Sequence, residues 1–445
     1  MTVDADRAIS NLQALVRIPT ISRLDESEMD WEPFLAFREK LAELYPQTHR
    51  TLELEAVDGH SMLFRWVGRS EGEPTVLMAH YDVVAATEDG WEHPPFSAEL
   101  VGGGEEQLIW GRGTLDDKGS LVSILEAVES HAAAGFQPEH DIYLSFGHNE
   151  ETAGSGARAI VDLLEARGIR PALVLDEGGA VVEGVFPGVT KPIAVVGVSE
   201  KGILSLKLTV DQLGGHASTP PRLAATVRLA RAIVRLDRRP FRKSFVPTNL
   251  EMIRTLGAHA RQPLRWVFRN VWLTRGMLLT LFSRLSPETN AMVRTTQAVT
   301  QLSGAQAANA LAERAEAVVN IRIAIDSSVA EAVEHVRRAI RDELVTVEAL
   351  HPSEPSPVSP TTGSAWELVK RTIEQSFPGT IVTPYVMLGA SDGRHFTRIS
   401  DHVYRFSPFE MSGEERGTLH AKNERMRTAT FLRGVAFYAR LVARL

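Results

Sequence analysis

The chain of 445 residues contains no cysteine. That absence excludes disulfide scaffolds, thiolate metal sites and cysteine nucleophiles together, and it fits a reducing compartment. There is no strong excess of one charge either. The formal net charge is -8 and, apart from the short stretch Arg238 to Lys243, basic residues are scattered, so no nucleic-acid surface stands out. No segment reads as a membrane span. The nearest, Pro263 to Leu285, is broken by Arg265, Arg269, Arg275 and Arg284, which a spanning helix does not tolerate. It reads as an amphipathic helix packed on its own domain, or as an apolar wall for a substrate tail. The first residues, Met1 to Arg7, are polar and acidic and lack the basic-then-apolar order of a secretion signal. The expected location is therefore cytoplasmic.

What is present describes an ordinary globular protein, 44% hydrophobic and 23% charged. The length exceeds that at which one core usually stops growing, so two domains are expected. Between Thr75 and Leu175 strand-like runs alternate with helical ones. Helices at Gly119 to Ala134 and Gly156 to Arg167 separate strands at Thr75 to Ala79, Ile142 to Phe146 and Ala172 to Leu175. This alternation predicts an α/β domain with a mainly parallel sheet and helices on both faces. After Glu200 the pattern changes to alternating half-exposed strands, beginning with Ile203 to Val210, mixed with helices at Arg222 to Leu236 and Ser328 to Val345. A smaller α+β domain is thus expected as an insert, a lid or dimerisation domain over residues 200–350. The catalytic domain would comprise residues 1–199 and 351–445. Pro-rich His351 to Pro360 reads as the linker back, and the chain is expected to end in a helix from Glu424 to Leu445.

The stretch Gly111-Arg112-Gly113-Thr114-Leu115-Asp116-Asp117-Lys118-Gly119 sits between an apolar strand-like run and an apolar helix-like run. An acidic group there stands at a strand end and a helix mouth, where open α/β sheets place their ligands. Four other fragments make chemical sense around it: His80-Tyr81-Asp82, Asn149-Glu150-Glu151, Asp176-Glu177-Gly178-Gly179 and His420 in Gly417 to Glu424. Two histidines and several carboxylates at strand ends are the donor types for a pair of metal ions that share one carboxylate.

Taken in this order, the five motifs resemble the dinuclear-zinc aminoacylase/carboxypeptidase metallopeptidase family, which includes acetylornithine deacetylase, succinyl-diaminopimelate desuccinylase and glutamate carboxypeptidase. The similarity runs from Leu12 to the terminal helix. It implies two Zn²⁺ per subunit, with Co²⁺ or Mn²⁺ able to substitute. His80 and Asp176 would hold the first ion, Glu151 and His420 the second, and Asp116 would bridge them. Asp82 would fix the His80 tautomer, and a non-proline cis peptide is expected at Asp116–Asp117. Glu150 would be the general base for a zinc-bridged hydroxide. His216, in Gly214-Gly215-His216-Ala217-Ser218, would steady the oxyanion, supplied by the partner subunit of a homodimer. Asn309, Arg322, Gly389 and Arg394 would bind the substrate and its free carboxylate.

His148-Asn149-Glu150-Glu151, with the apolar insert through Trp266, Phe268, Trp272, Leu278 and Phe282, resembles the carboxypeptidase S-like branch, which includes N-fatty-acyl amino acid hydrolases. Asn149 stands where branch members usually have aspartate. Asn309-Ala310-Leu311-Ala312 lacks the family's proline. The expected reaction is hydrolysis of an amide bond beside a free carboxylate, in a small-molecule N-acyl amino acid or a short peptide. A dipeptidase or small-acyl aminoacylase is the rival among enzymes, and a catalytically inactive metal-bearing binding protein is the rival from another class.

Overall fold

A computed structural model of the chain describes residues 4–445. Its larger sheet is organised about the strand Thr75–His80, buried along its whole length. That strand pairs in parallel with Ile142–Gly147 on one side and with Leu173–Asp176 on the other. Leu173–Asp176 pairs in turn, also in parallel, with Val403–Arg405. Successive residues point to opposite faces, and both faces are covered. Leu77 and Ala79 enter the main core with helices Lys118–Ala133 and Thr428–Val442, whereas Val76 and Met78 join Ile160, Val161 and Leu164 of helix Gly156–Ala166. The strand therefore reads as an unbroken apolar run.

This parallel centre lies within a sheet of ten strands. Its flanks are mixed: Ser61–Trp66 runs antiparallel to Ile142–Gly147, while Ile193–Glu200 pairs antiparallel to Val403–Arg405 and parallel to Ile381–Met387. His80 and Asp176 each end their strands, and Glu150 opens the 3₁₀ turn Glu150–Thr152 three residues beyond Gly147. Every motif of the sequence reading except His420 and the Asp116 loop thus leaves a strand at the same edge.

The terminal helix is shorter than the sequence pattern suggests. It spans Thr428–Val442, because Arg425–Arg427 is drawn into a small antiparallel sheet against Leu108–Trp110. That pairing ties the two segments that carry Asp116 and His420.

Beyond Glu200 the chain builds a second, four-stranded antiparallel sheet. Gly202–Asp211 alternates buried and half-buried residues and lies between Arg314–Ile323 and Thr346–Ser353. Helices Ala225–Asp237 and Val329–Ile340 cover it, with a core of its own around Leu206, Leu229, Val319, Ile321 and Val336. The expected linker is only partly one, since His351 to Ser353 complete an edge strand. The helices between Pro247 and Met292 do not join this smaller core. Met252, Leu256, Phe268, Leu278 and Phe282 belong to the main one, where Phe268 and Phe282 pack on Phe186 at ring separations of 4.9 and 6.3 Å. Aromatic burial there outweighs sequence adjacency to the insert.

Glu200 stands where the chain passes from one body to the other and is fully buried. Its carboxylate accepts from Arg405 Nε at 2.6 Å, Ser391 Oγ at 2.9 Å and Ser391 N at 3.2 Å. Arg405 is equally buried. Glu200→Ala strands that guanidinium, and the expected loss is about 3–5 kcal/mol of unfolding free energy in urea titration. A loss below about 1 kcal/mol, the value of an exposed pair, would contradict a structural role for this pair.

Candidate metal centre

The loop bearing Asp116 is held by one carboxylate. Glu424, fully buried, accepts at Oε1 from the backbone N–H groups of Gly113 (3.0 Å), Leu115 (2.9 Å) and Asp116 (3.3 Å), and at Oε2 from Arg112. Gly113 has a φ of +88°, and a Cβ there would stand 2.7 Å from Val83 Cγ1, so only glycine fits. The Asp116–Asp117 peptide is cis, as the family resemblance led us to expect. Lys118 anchors the loop base by donating to the carbonyls of Leu15 and Ile18.

The two oxygens of Asp116 face different histidines. Oδ1 is 3.0 Å from His80 Nε2, and Oδ2 is 2.9 Å from His420 Nε2. His80 Nδ1 lies 3.0 Å from the carbonyl oxygen of Asp82, a group that can only accept. Nδ1 therefore carries a proton, which leaves Nε2 as the nitrogen that a cation beside Asp116 would engage. On the other side, Glu151 Oε2 is 3.0 Å from His420 Nε2. His420 itself adopts a φ of +56°.

Asp82 has a second task that the sequence does not reveal. Its two oxygens accept from the backbone N–H groups of Glu150 and Glu151, each at 3.1 Å. One residue thus orients both the imidazole, chiefly through its carbonyl with a carboxylate oxygen 3.3 Å away, and the turn carrying the acidic pair. Glu150 and Glu151 diverge as expected: Glu151 turns to His420, and Glu150 Oε2 stands 4.0 Å from His80 Nε2. Asn149 uses its amide oxygen to accept from Gly156 N at 3.1 Å, closing the same turn.

Two groups of donors lie within metal-binding reach of one another: His80, Asp116 and Glu177, and Asp116, Glu151 and His420. The second group is the one expected. In the first, Glu177 stands where Asp176 was expected. Asp176 turns to the other face, and its Oδ2 accepts from Gly393 N at 2.6 Å. Adjacent residues at a strand end point oppositely, and a Cβ on Gly393 would come within 2.8 Å of the Asp176 oxygen. Residue 393 is thus fitted to receive Asp176, which leaves Glu177 to face the histidine.

The electrostatics of this cluster call for cations. Burial pushes Glu177 well above the usual carboxylate range, and Asp116, Asp117 and Asp176 add to it. Burial likewise raises Glu150, reinforced against the pull of His80 by Asp392, Asp116 and Asp82. Asp392 is pushed up to about 8 by burial and by Asp176. His420 is raised to about 10 by its hydrogen bonds to Asp116 and Glu151. Glu151 Oε1 is buried with no hydrogen-bond partner, an orphan acceptor of the kind that a cation satisfies. The donor set of imidazole and carboxylate, without thiolate, suits zinc and its neighbours. The residues present therefore fit divalent metal.

The remaining expected residues fall into two pairs. Burial lowers the pKa of Arg322 and the charge of Arg394 adds to it, while Arg394 itself, also lowered by burial, lies near Glu200 and Arg405; Arg322 in turn disfavours the charge of Lys201, again after burial. Arg394 follows Gly393 and reaches the carbonyl of Glu354 at 3.0 Å; Gly389 is exposed on the same loop. Asn309 and His216 lie side by side on an exposed two-stranded ribbon, His216 opposite Ala310 and the Asn309 carbonyl accepting from Ala217 N. The His216 ring is bonded only within that ribbon, to Ser218.

A cavity of about 240 Å³ opens beside the centre. Gly178, next to Glu177, and Leu419, next to His420, form part of its wall; Val182, Phe186, Met252 and Leu256 contribute apolar surface. No residue of 263–285, whose second reading was a substrate-tail wall, lines this cavity; helix Pro247–His259, residues 288–292 and the sheet supply that surface instead.

The sequence profile of peptidase family M20/M25/M40 matches residues 76–444. The chain is 35% identical to a probable carboxypeptidase S-like 2 of Dictyostelium discoideum, over 99% of this chain and 86% of that protein. It is 37% identical to the N-fatty-acyl-amino acid synthase/hydrolase PM20D1 of Xenopus tropicalis, over 98% and 85%. Its fold matches an M20 family metallo-carboxypeptidase from Sulfolobus solfataricus with a TM-score of 0.67 at 16% identity, over 98% of this chain and 99% of that one.

A group whose folded-state pKa is raised keeps the protein stable below its ordinary pKa and loses that contribution as pH climbs through the raised value. For Asp392 that window runs from the ordinary carboxylate range to about 8. Bound cations cancel the repulsion, and protons compete with them less at high pH. The fall in Tm on chelation should therefore be several degrees larger at pH 8 than at pH 5.5. An equal or smaller fall at pH 8 would contradict a metal-filled carboxylate cluster.

Proposed function

The chain belongs to peptidase family M20/M25/M40, a family of metal-dependent hydrolases of amide and peptide bonds, and from that premise we propose that it hydrolyses N-acyl amino acids carrying an apolar acyl chain. The observation that carries this reading is the cavity. An apolar space beginning next to two candidate ligand segments suits the hydrocarbon tail of an acyl group whose carbonyl sits at the metals. The relatives named as N-fatty-acyl-amino acid synthase/hydrolases support the same class of substrate.

In this reading His80, Asp116 and Glu177 would hold one divalent ion and Asp116, Glu151 and His420 another, zinc being the metal we favour, and the bound metal would supply Lewis acidity and acidified water. Glu150 takes the proton of the attacking water and delivers it to the departing amine nitrogen. Its burial among carboxylates raises its proton affinity, which favours the acid half of that shuttle. Arg322 and Arg394, cations within reach of each other, grip the free carboxylate, for which a guanidinium fork is well shaped. His216 and Asn309 lie on an exposed ribbon, which we assign to the site of the partner subunit in a homodimer, where His216 donates to the oxyanion. The absence of cysteine supports a reducing compartment such as the cytoplasm.

The test is a substrate panel with zinc-loaded protein: acetyl through long-chain acyl amino acids, and dipeptides. The expected kcat/KM climbs from acetyl to longer acyl chains, as the cavity fills. Glu150→Gln should lower kcat by roughly 10²–10⁴-fold while the metal content stays unchanged. A preference for acetyl substrates or dipeptides would favour the small-acyl or dipeptidase reading. Full activity in Glu150→Gln would remove Glu150 from the proton shuttle.

A further inference from the structure

Helices Pro247–His259 and Pro287–Met292 contribute to the wall of the apolar cavity, and Val271–Leu285, between them in sequence, carries two apolar faces. Val271–Leu285 buries Val271, Leu278 and Phe282 in the main core. Its other side exposes Trp272 (80%), Leu273 (60%), Met277 (54%), Leu281 (40%) and Leu285 (52%), and Trp266 of the preceding helix is 54% exposed. Leu273, Met277, Leu281 and Leu285 recur every fourth residue, so they form one stripe about 18 Å long at 1.5 Å per residue. Singly exposed apolar residues are ordinary, but such a stripe, with two exposed tryptophans in the same segment, is a candidate contact surface.

Its charge is as uneven as its hydropathy. From Arg238 to Leu285 the sequence has ten arginines and lysines and a single acidic residue, Glu251, in a chain whose net charge is -8. Arg265, Arg269, Arg275 and Arg284 form no ion pairs among the described residues. A helix with leucine, methionine and tryptophan on its outer face, flanked by arginine and free of carboxylates, has the composition of one that lies in the plane of an anionic membrane surface.

We propose that this face docks the protein on an anionic lipid bilayer. A second copy of the chain is the other candidate occupant, and the charge argues against it. A two-fold interface sets a patch against its own image, which would bring arginine-rich surface against arginine-rich surface. Anionic headgroups supply opposite charge beside an apolar layer for the tryptophans and leucines. Docking would also bring the cavity close to a phase in which long acyl chains reside, although it stands independently of the hydrolysis reading.

The experiment is co-sedimentation of the full, metal-loaded chain with vesicles of phosphatidylcholine, with and without phosphatidylglycerol. Binding should be roughly tenfold stronger or more with phosphatidylglycerol and should weaken in high salt. Trp272→Glu with Met277→Glu should abolish it while kcat/KM on a short, soluble substrate stays as in the wild type. Arg269→Glu with Arg275→Glu should remove the preference for the anionic lipid. Equal binding of wild type and the Trp272/Met277 variant would overturn the proposal, as would indifference to phosphatidylglycerol. So would a wild-type dimer in size-exclusion chromatography that the Trp272/Met277 variant converts to monomer.

Discussion

The carboxylate of Asp116 lies between two imidazoles, one oxygen 3.0 Å from His80 and the other 2.9 Å from His420, and the main body is arranged to keep it there. His80 comes from the end of the central strand and His420 from a loop more than 300 residues further on. Asp116 sits on a turn between a short strand and a buried helix. Glu424 fixes that turn through three backbone N–H groups and belongs to the same segment as His420. Loop and histidine are therefore positioned by one another, and neither end of the site is set by local sequence alone.

Charge explains why so much structure is spent on this point. Asp82, Asp116, Glu150, Glu151, Asp176, Glu177 and Asp392 crowd round two histidines. Isolated buried carboxylates cannot stay ionised. The chain deals with part of the problem by hydrogen bonding: Asp82 takes two backbone N–H groups, Asp176 takes that of Gly393, and Glu424 takes three. Glu177, Glu151 and Asp116 are left facing one another's histidines, and there a divalent cation is the remaining compensation. Candidate ligands, their supports and the proposed proton shuttle are thereby sorted by how many backbone donors each carboxylate finds.

That sorting marks the limit of what the sequence discloses. The parallel sheet was legible because buried strands and amphipathic helices alternate with unambiguous periods, and the order of the five motifs pointed to the family. The choice between Asp176 and Glu177 was not legible. It depends on the parity of side chains at a strand end and on the N–H of Gly393, more than 200 residues away. Glu424 looked like the start of a helix because its three partners are backbone groups, which leave no mark in composition. The insert misled in a different way. Phe268, Leu278 and Phe282 read as packing on their own domain or as a substrate wall, yet they fill the main core, and the cavity wall falls to Met252 and Leu256 of a helix with weaker sequence character. A helix apolar on two sides offers no way, from sequence alone, to tell which side is buried.

The account depends on one carboxylate serving two cation sites. The most direct measurement is the metal content of purified Asp116→Asn by plasma emission spectrometry, beside Glu177→Gln and wild type. If Asp116 is shared, its variant loses both ions, whereas Glu177→Gln loses chiefly the one held with His80. An Asp116→Asn protein that is folded and keeps its full complement of metal would contradict the shared site.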